Sequence, residues 1–181
     1  MTRARVVLRP PSPADQEPFT TAMRASRSLH RPWVAMPETP AEFEAYLERS
    51  RRDNAAFYLA LRRADETIVG FLNISEIIHG RLQSAFLGYG GVAGFESQGY
   101  MREALELVLR EAFTKLGLHR LEANIQPANR ASIALAKRCG FEREGFSPRY
   151  LKIGGRWRDH ERWAILAETW RARRSERLDV K

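Results

Sequence analysis

The segment 94–104 constrains the fold most, because it joins a strand-like run to a long amphipathic helix through a short glycine-bearing loop. From Met101 onward apolar residues recur at helical spacing, until Gly117 supplies a stop. The first amides of a helix have no acceptor within it, and the helix dipole favours an anion there. The junction is therefore a candidate phosphate cradle built from backbone, although many junctions of this kind bind nothing.

Strand-like and helical segments alternate along the rest of the chain. Thr39 and Glu42 form a capping box that predicts a helix start, and Asn129 and Gly140 delimit a later helix. A further helix is predicted from Ser12 to about Arg27, followed by a loop at 29–38. Strands are predicted at 5–9, 56–61, 67–74, 82–90, 119–125, 141–146 and 156–165. This order predicts the α/β class, with a mixed sheet flanked by helices.

Length and composition limit the other possibilities. A chain of 181 residues with 44% hydrophobic and 29% charged residues predicts one globular domain, which we place at 1–170, followed by a basic C-terminal tail at 171–181. No apolar run is long enough for a membrane span, and no Cys/His spacing suits a metal. With Cys139 as the single cysteine, a reducing, cytoplasmic location is expected. The net charge of +8 favours an anionic partner, either nucleic acid or a polyphosphate cofactor.

Two further motifs follow the long helix, at 127–132 and 136–141. Together with the glycine loop they resemble the GCN5-related N-acetyltransferase (GNAT) family, whose pyrophosphate motif is Gln/Arg-x-x-Gly-x-Gly/Ala. The triplet 87–89, the segment 98–104 and the Gly-x-Trp-Arg-Asp-His segment 155–160 look like the RimJ/RimL branch, which acetylates N-termini of ribosomal proteins. The resemblance implies an acyl-CoA N-acyltransferase fold, with a mostly antiparallel sheet splayed at the cofactor site. It also implies acetyl transfer from acetyl-CoA to a primary amine.

The resemblance also implies roles for particular residues. A strand at Gly91 and Val92 would pair with the pantetheine arm of acetyl-CoA, and an amide near Val92 would polarise the acetyl carbonyl. Asn129 would hydrogen-bond the same arm, and Ser132 would both contact the cofactor and donate a proton to the departing thiolate. The pyrophosphate loop would comprise Gln98, Gly99, Tyr100, Met101 and Arg102.

Each of these roles has a plainer alternative. Asn129 can be a helix cap, and the Ser132 hydroxyl can bond the local backbone. Glu96 occupies the motif position of Gln or Arg, so its carboxylate should face outward, leaving backbone amides to bind the pyrophosphate. Glu76 ends a strand-like run and is the candidate general base, with a solvated strand-end charge as its alternative. Cys139 precedes the helix-ending Gly140, which favours a packed thiol over an acetyl-cysteine intermediate.

The pKa values of the candidate acceptor amines indicate which of them is the easier to acetylate. Neutralising an amine at pH 7 costs about 1 kcal/mol for an α-amine and about 4.6 kcal/mol for lysine. A site without an obvious strong base therefore suits a protein N-terminus, and ribosomal-protein acceptors would imply association with the ribosome. Two alternatives stay open: a small amine such as a polyamine, an aminoglycoside or an amino acid, and a non-catalytic acyl-CoA-binding or nucleic-acid-associated module. A monomer or a homodimer is expected.

Overall fold

One mixed sheet carries the fold of the computed structural model, which describes the backbone of residues 4–179 and the side chains through residue 176. Within that range the strand order is β1-β2-β3-β4-β5-β7-β6. The strands are β1 (Val6–Arg9), β2 (Ala56–Arg62), β3 (Ile68–Ile78), β4 (Ser84–Gly91), β5 (Arg120–Ile125), β6 (Glu142–Ile153) and β7 (Arg156–Leu166). The helices are α1 (Gln16–Ala25), α2 (Arg27–His30), α3 (Pro40–Ser50), α4 (Tyr100–Arg110), α5 (Arg130–Cys139) and α6 (Ala167–Asp179).

The sheet is splayed at its centre. β4 pairs with β3 in antiparallel register over most of its length, from Ser84 to Gly91. With β5 it pairs in parallel register only along Ser84–Phe86. Beyond Phe86 the two central strands diverge and leave a wedge-shaped gap. All other strand pairs are antiparallel.

Helices cover the two faces of the sheet with separate cores. On one face, α4 and α5 bury the apolar residues that recur at helical spacing, among them Leu105, Leu109 and Ile133. On the other face, α1 and α3 pack an aromatic group against β2 and β3, in which Phe19 lies within 5.4 Å of the rings of Phe43 and Tyr46. The two faces of the sheet are therefore stabilised by different sets of side chains.

Local sequence signals account for most of the element ends. Thr39 accepts the amide of Glu42, and the Glu42 side chain accepts the amide of Thr39, so the predicted capping box is present. Gly140 ends α5 with a left-handed φ of 95°. Cys139 is 1% exposed, which agrees with a packed thiol. Within the described residues no helix is long and apolar enough to cross a membrane.

Several predicted boundaries differ from the structure. The first helix is divided, because Ser26 donates its hydroxyl to Ala22 and the chain turns into the short helix α2. His30 was predicted to lie in a loop but closes α2. β6 runs on to Ile153 because it pairs with β7 as a long ribbon. The long amphipathic helix ends in a π-helical turn at Glu111–Lys115.

Of the basic tail predicted at 171–181, residues 171–179 belong to α6, and 180 and 181 lie outside the described residues. Trp170, 5% exposed, packs its ring 5.5 Å from that of Phe113. Arg173 donates to the carbonyl of Arg138 at 3.0 Å. These contacts fasten the start of α6 to the π-helical turn at Glu111–Lys115 and to the end of α5.

Trp170→Ala should lower the free energy of unfolding by about 3–5 kcal/mol, because it leaves a cavity against Phe113. Trp157→Ala is the matched control. Since Trp157 is 60% exposed, its loss should change stability by no more than about 0.5 kcal/mol. Urea unfolding followed by circular dichroism measures both variants, and equal losses would show that α6 does not dock as described.

Candidate active site

A cavity of about 600 Å³ opens at the splay. The end of β4 and the first turn of α4 bound it on one side, and the first turns of α5 bound it on the other. Helix α2 and the loop after it close the far end. Its lining comprises Leu29, His30, Trp33, Val34, Tyr89, Gly90, Gly91, Val92, Phe95, Glu96, Ser97, Gly99, Met101, Arg102, Asn129, Ala131, Ser132, Ala134, Leu135 and Arg138.

The glycine loop presents the start of α4 to this cavity. Gly99 is the N-cap residue and has a φ of 84°, a left-handed conformation that disfavours other residues. The amides of Tyr100, Met101 and Arg102 form the first helical turn, so they have no acceptor within the helix. With the positive end of the helix dipole they form a site suited to an anion. Arg102 and Arg138 add cationic side chains to the lining.

Arg5 clamps this loop from the start of β1, a contact that the sequence pattern did not reveal. Its Nη2 donates to the carbonyl of Gln98 at 3.1 Å, and its Nε donates to Glu103 at 2.6 Å. The guanidinium also lies 4.8 Å from the centre of the Tyr100 ring. The loop conformation is therefore fixed by long-range contacts.

Glu96, expected to face outward, is exposed but lies on the rim of the cavity. Its Oε2 accepts the amide of Gly94 at 2.6 Å. The carboxylate is thereby held on its own loop, and the amides at the start of α4 stay accessible.

Met101 stands where the family motif has a small residue, and glycines on two strands make room for it. A Cβ at Gly70 would lie 2.2 Å from the Met101 sulfur, and one at Gly91 would lie 3.3 Å from its Cγ. Gly70 and Gly91 are direct cross-strand partners. The end of β4 thus stays close to α4 despite the larger side chain.

The backbone of β4 offers donors to the splay at alternate residues. An amide near Val92 was predicted to polarise the carbonyl, and the amide of Val92 itself donates to the carbonyl of Val69 in β3 at 3.0 Å. The next amide, that of Ala93, donates to the hydroxyl of Ser26 at 2.9 Å. Since backbone groups alternate in direction along an antiparallel strand, Tyr89 and Gly91 point theirs away from β3 and into the gap. These two amides replace Val92 as the candidate donors.

The start of α5 supplies side chains from the opposite side. Asn129 Oδ1 accepts the amide of Ser132 at 3.1 Å, so the capping interpretation is correct. The Asn129 Nδ2 group donates to no atom of the described residues, so its hydrogens are available to another acceptor. The Ser132 side chain lies beside the Tyr89 hydroxyl and interacts with it. Tyr89 donates its hydroxyl to the carbonyl of Ser132 at 2.9 Å, which ties β4 to α5. Burial raises the pKa of Tyr89 well above its ordinary value, so it stays a neutral donor.

Helix α2 and the following loop place residues at the cavity that belong to none of the sequence motifs. His30 Nε2 lies 2.8 Å from the carbonyl oxygen of Gly91, and the imidazole is edge-on to Phe71. Gln126, at the end of β5, donates to the carbonyls of Pro32 and Trp33, at 3.3 Å each. The loop therefore bridges the two diverging strands, with Trp33 and Val34 on the cavity wall.

The predicted site residues divide into three groups. Gly91, Val92, Gly99, Met101, Arg102, Asn129 and Ser132 all line the cavity. Gln98 and Tyr100 do not. The Gln98 side chain bonds the carbonyl of Gly94 at 2.8 Å, and the Tyr100 ring is buried.

Glu76 lies elsewhere. It is exposed, occupies a bulge of β3 at a φ of 50° and accepts from Asn54 at 3.3 Å. The bulge faces the Ser84–Phe86 stretch, where β4 and β5 still pair. Tyr89 is three residues further along β4, roughly 10 Å at the usual rise of a strand. A direct role as a base at the cavity is not favoured by this position.

Comparisons with known proteins agree with this geometry. Residues 5–142 match the family described as Acetyltransferase (GNAT) domain. The chain is 31% identical over 178 residues to the [ribosomal protein uS5]-alanine N-acetyltransferase of Escherichia coli, covering 94% of this chain and 92% of the relative. It is 26% identical over 151 residues to the spermidine N(1)-acetyltransferase of Vibrio cholerae, covering 82% and 86%. The RimJ of Mycobacterium smegmatis, solved in complex with CoA-disulfide, superposes with a TM-score of 0.83 at 30% identity, covering 90% of this chain and 82% of that one.

Gly99→Glu should weaken CoA binding at least tenfold, because it places a side chain and a negative charge beside the amides at the start of α4. Gly80→Glu is the matched control. Gly80 also has a positive φ, of 72°, but a Cβ there would meet nothing within 4 Å. Titration calorimetry with CoA compares the two variants, and similar affinities would place the pyrophosphate elsewhere.

Proposed function

Because the chain belongs to the GNAT acetyltransferase family, we propose that it transfers the acetyl group of acetyl-CoA to a protein N-terminal α-amine by direct attack in a ternary complex. The predicted N-acetyltransferase activity, the GNAT fold and the RimJ-like resemblance are confirmed. The acceptor is the proposed part, since the relatives named above act on a ribosomal protein in one case and on spermidine in another.

The observation that carries the proposal is the lining of the acceptor side. Leu29, Trp33 and Val34, on α2 and the loop after it, form an apolar wall beside His30. Glu96 is the single carboxylate among the lining residues, and it lies on the glycine loop instead. A polyamine carries several positive charges whose desolvation needs carboxylate partners. A chain terminus with one amine and a small apolar first residue meets no such requirement.

The residues present fit acetyl-CoA on the opposite side. The amides of Tyr100, Met101 and Arg102 would hold the pyrophosphate, with Arg102 and Arg138 adding positive charge. Gly91 would pair with an amide of the pantetheine arm, and Asn129 Nδ2 would donate to the same arm. Bound there, acetyl-CoA supplies an activated thioester. The RimJ solved with CoA-disulfide agrees with acetyl-CoA as cosubstrate.

If the pantetheine arm runs along β4 from the glycine loop, the thioester at its end lies deepest in the cavity. The amide of Tyr89, two residues further from that loop than Gly91, would then polarise the acetyl carbonyl. Such a donor commonly contributes about 3 kcal/mol to the transition state. Ser132 would protonate the departing thiolate. The 2.9 Å hydrogen bond from the Tyr89 hydroxyl to the Ser132 carbonyl holds Tyr89 and Ser132 next to each other.

Ser132→Ala should lower kcat by about 100-fold, near the lower end for general acid catalysis. The effect is limited because a thiol with a pKa near 8.5 is already a fair leaving group. Initial rates of thiol release measure kcat and KM. Wild-type kcat in this variant would assign the proton to water or to another residue.

Asn129→Asp separates the two functions of that side chain. Aspartate keeps the oxygen that accepts the Ser132 amide, so the free energy of unfolding should be unchanged within about 0.5 kcal/mol. It loses the Nδ2 donor, so the KM for acetyl-CoA should rise about 2- to 10-fold, as for one neutral hydrogen bond. An unchanged KM would leave Asn129 as a helix cap alone.

A panel of amines tests the acceptor. A peptide with a free N-terminus should release thiol from acetyl-CoA, whereas the same lysine-containing peptide with a blocked N-terminus should not. If spermidine is the one amine that reacts, the acceptor is a small amine and not a protein N-terminus. CoA binding without turnover of any amine would favour the non-catalytic alternative. The expected association with the ribosome applies if the peptides of ribosomal proteins react best.

A further inference from the structure

The hydrogen bond of His30 fixes which ring nitrogen carries its proton. Nε2 lies 2.8 Å from the carbonyl oxygen of Gly91. Because a carbonyl oxygen only accepts, Nε2 must be the donor. In the neutral imidazole the proton is then on Nε2, and Nδ1 carries a lone pair.

Nδ1 is the open side of the ring. It has no hydrogen-bond partner within the described residues. In the described residues, the side-chain nitrogen and oxygen atoms that are fully buried without a hydrogen-bond partner are Asn124 Oδ1, Arg158 Nε and Trp170 Nε1. Nδ1 of His30 is not one of them. The exposed 5% of His30 therefore includes Nδ1, and the residue is part of the cavity lining.

The surroundings keep this imidazole neutral and in place. Burial lowers the pKa of His30 below its ordinary value of 6.5. The hydrogen bond to the Gly91 carbonyl and the charge of Glu38, itself paired with Arg27, act in the opposite direction. The Phe71 ring and the glycines of β4 that pack against His30 carry no charge, and Tyr89 is neutral. The ring is anchored 3.5 Å from the Cβ position of Gly90, one residue from Tyr89.

We propose that His30 is the general base of acetyl transfer, with Nδ1 taking a proton from the acceptor ammonium; this inference rests on the proposed function. His30 passes that proton to solvent, and the freed amine nitrogen bonds to the acetyl carbon. The carbon–sulfur bond breaks with its electron pair on sulfur, and Ser132 protonates the sulfur. The nitrogen then loses a second proton, which replaces the proton that Ser132 gave to the sulfur. Each turnover therefore releases one proton to solvent.

The proton affinity of such a base suits the proposed acceptor. Proton transfer from an α-ammonium group with a pKa near 7.8 to an imidazole with a pKa of 6.5 or below is unfavourable by at least about 20-fold. From lysine, near pKa 10.4, it is unfavourable by at least about 8,000-fold. The same residue therefore supplies a kinetic preference for an N-terminus over a lysine side chain.

His30→Gln is the decisive variant, because its amide nitrogen can still donate to Gly91 but its side chain cannot accept a proton at neutral pH. We expect kcat/KM for the acceptor to fall about 100-fold at pH 7. The wild-type profile should decline as pH falls through the lowered pKa of His30, and that decline should be absent in the variant. Unchanged melting temperature and CoA affinity serve as folding controls. A variant with more than a third of wild-type activity and an unchanged pH profile would overturn the proposal.

His30→Ala provides a second test if the glutamine variant does not fold. Added imidazole should restore at least tenfold activity, since it can occupy the space left by the ring. No restoration in a folded variant that binds CoA normally would contradict the proposal. Both tests use whichever amine the wild-type enzyme acetylates, so a spermidine-specific enzyme would refute the proposed acceptor and still allow the role of His30 to be judged.

Discussion

The divergence of β4 from β5 after Phe86 is the constraint on which the site depends. Two neighbouring parallel strands that separate leave backbone donors without a strand partner, and such groups need acceptors. At this point Tyr89 and Gly91 direct their amides into the gap, while their neighbour Val92 bonds back to β3. A ligand that can pair with a strand edge completes the sheet. The pantetheine arm, with its two amides, has that chemistry.

The same gap is bounded by two helix starts and one loop. Helices α4 and α5 both begin at the cavity, one offering free amides and the other offering Asn129 and Ser132. The loop after α2 accepts a hydrogen bond from Gln126, directly after β5, and His30 bonds to Gly91 on β4. The cofactor side and the acceptor side are thus linked through one short stretch of β4.

Much of this could be predicted from local sequence. Gly99 before an amphipathic helix, Asn129 as a cap and Gly140 as a stop each rest on interactions within a few residues. The contacts that could not be predicted join residues that lie far apart in the chain. His30 contacts a carbonyl 61 positions away, and Arg5 reaches a loop 93 positions away. Glu76 was predicted near the cleft because a strand end looked close to it, but the β3 bulge places it beside the paired part of β4. No periodicity in one segment specifies such pairings.

The central claim is that donor and acceptor meet at Tyr89–Gly91 from opposite sides of the splay. A crystal structure with a bisubstrate analogue, in which CoA is joined to the N-terminal nitrogen of a short peptide, tests it most directly. We expect the pyrophosphate on the amides of Tyr100–Arg102, the linking carbonyl on the Tyr89 amide, and the peptide leaving past Trp33 with its nitrogen near His30. An analogue seated with its linking carbonyl away from β4, or with the peptide on the far face of the sheet, would contradict it.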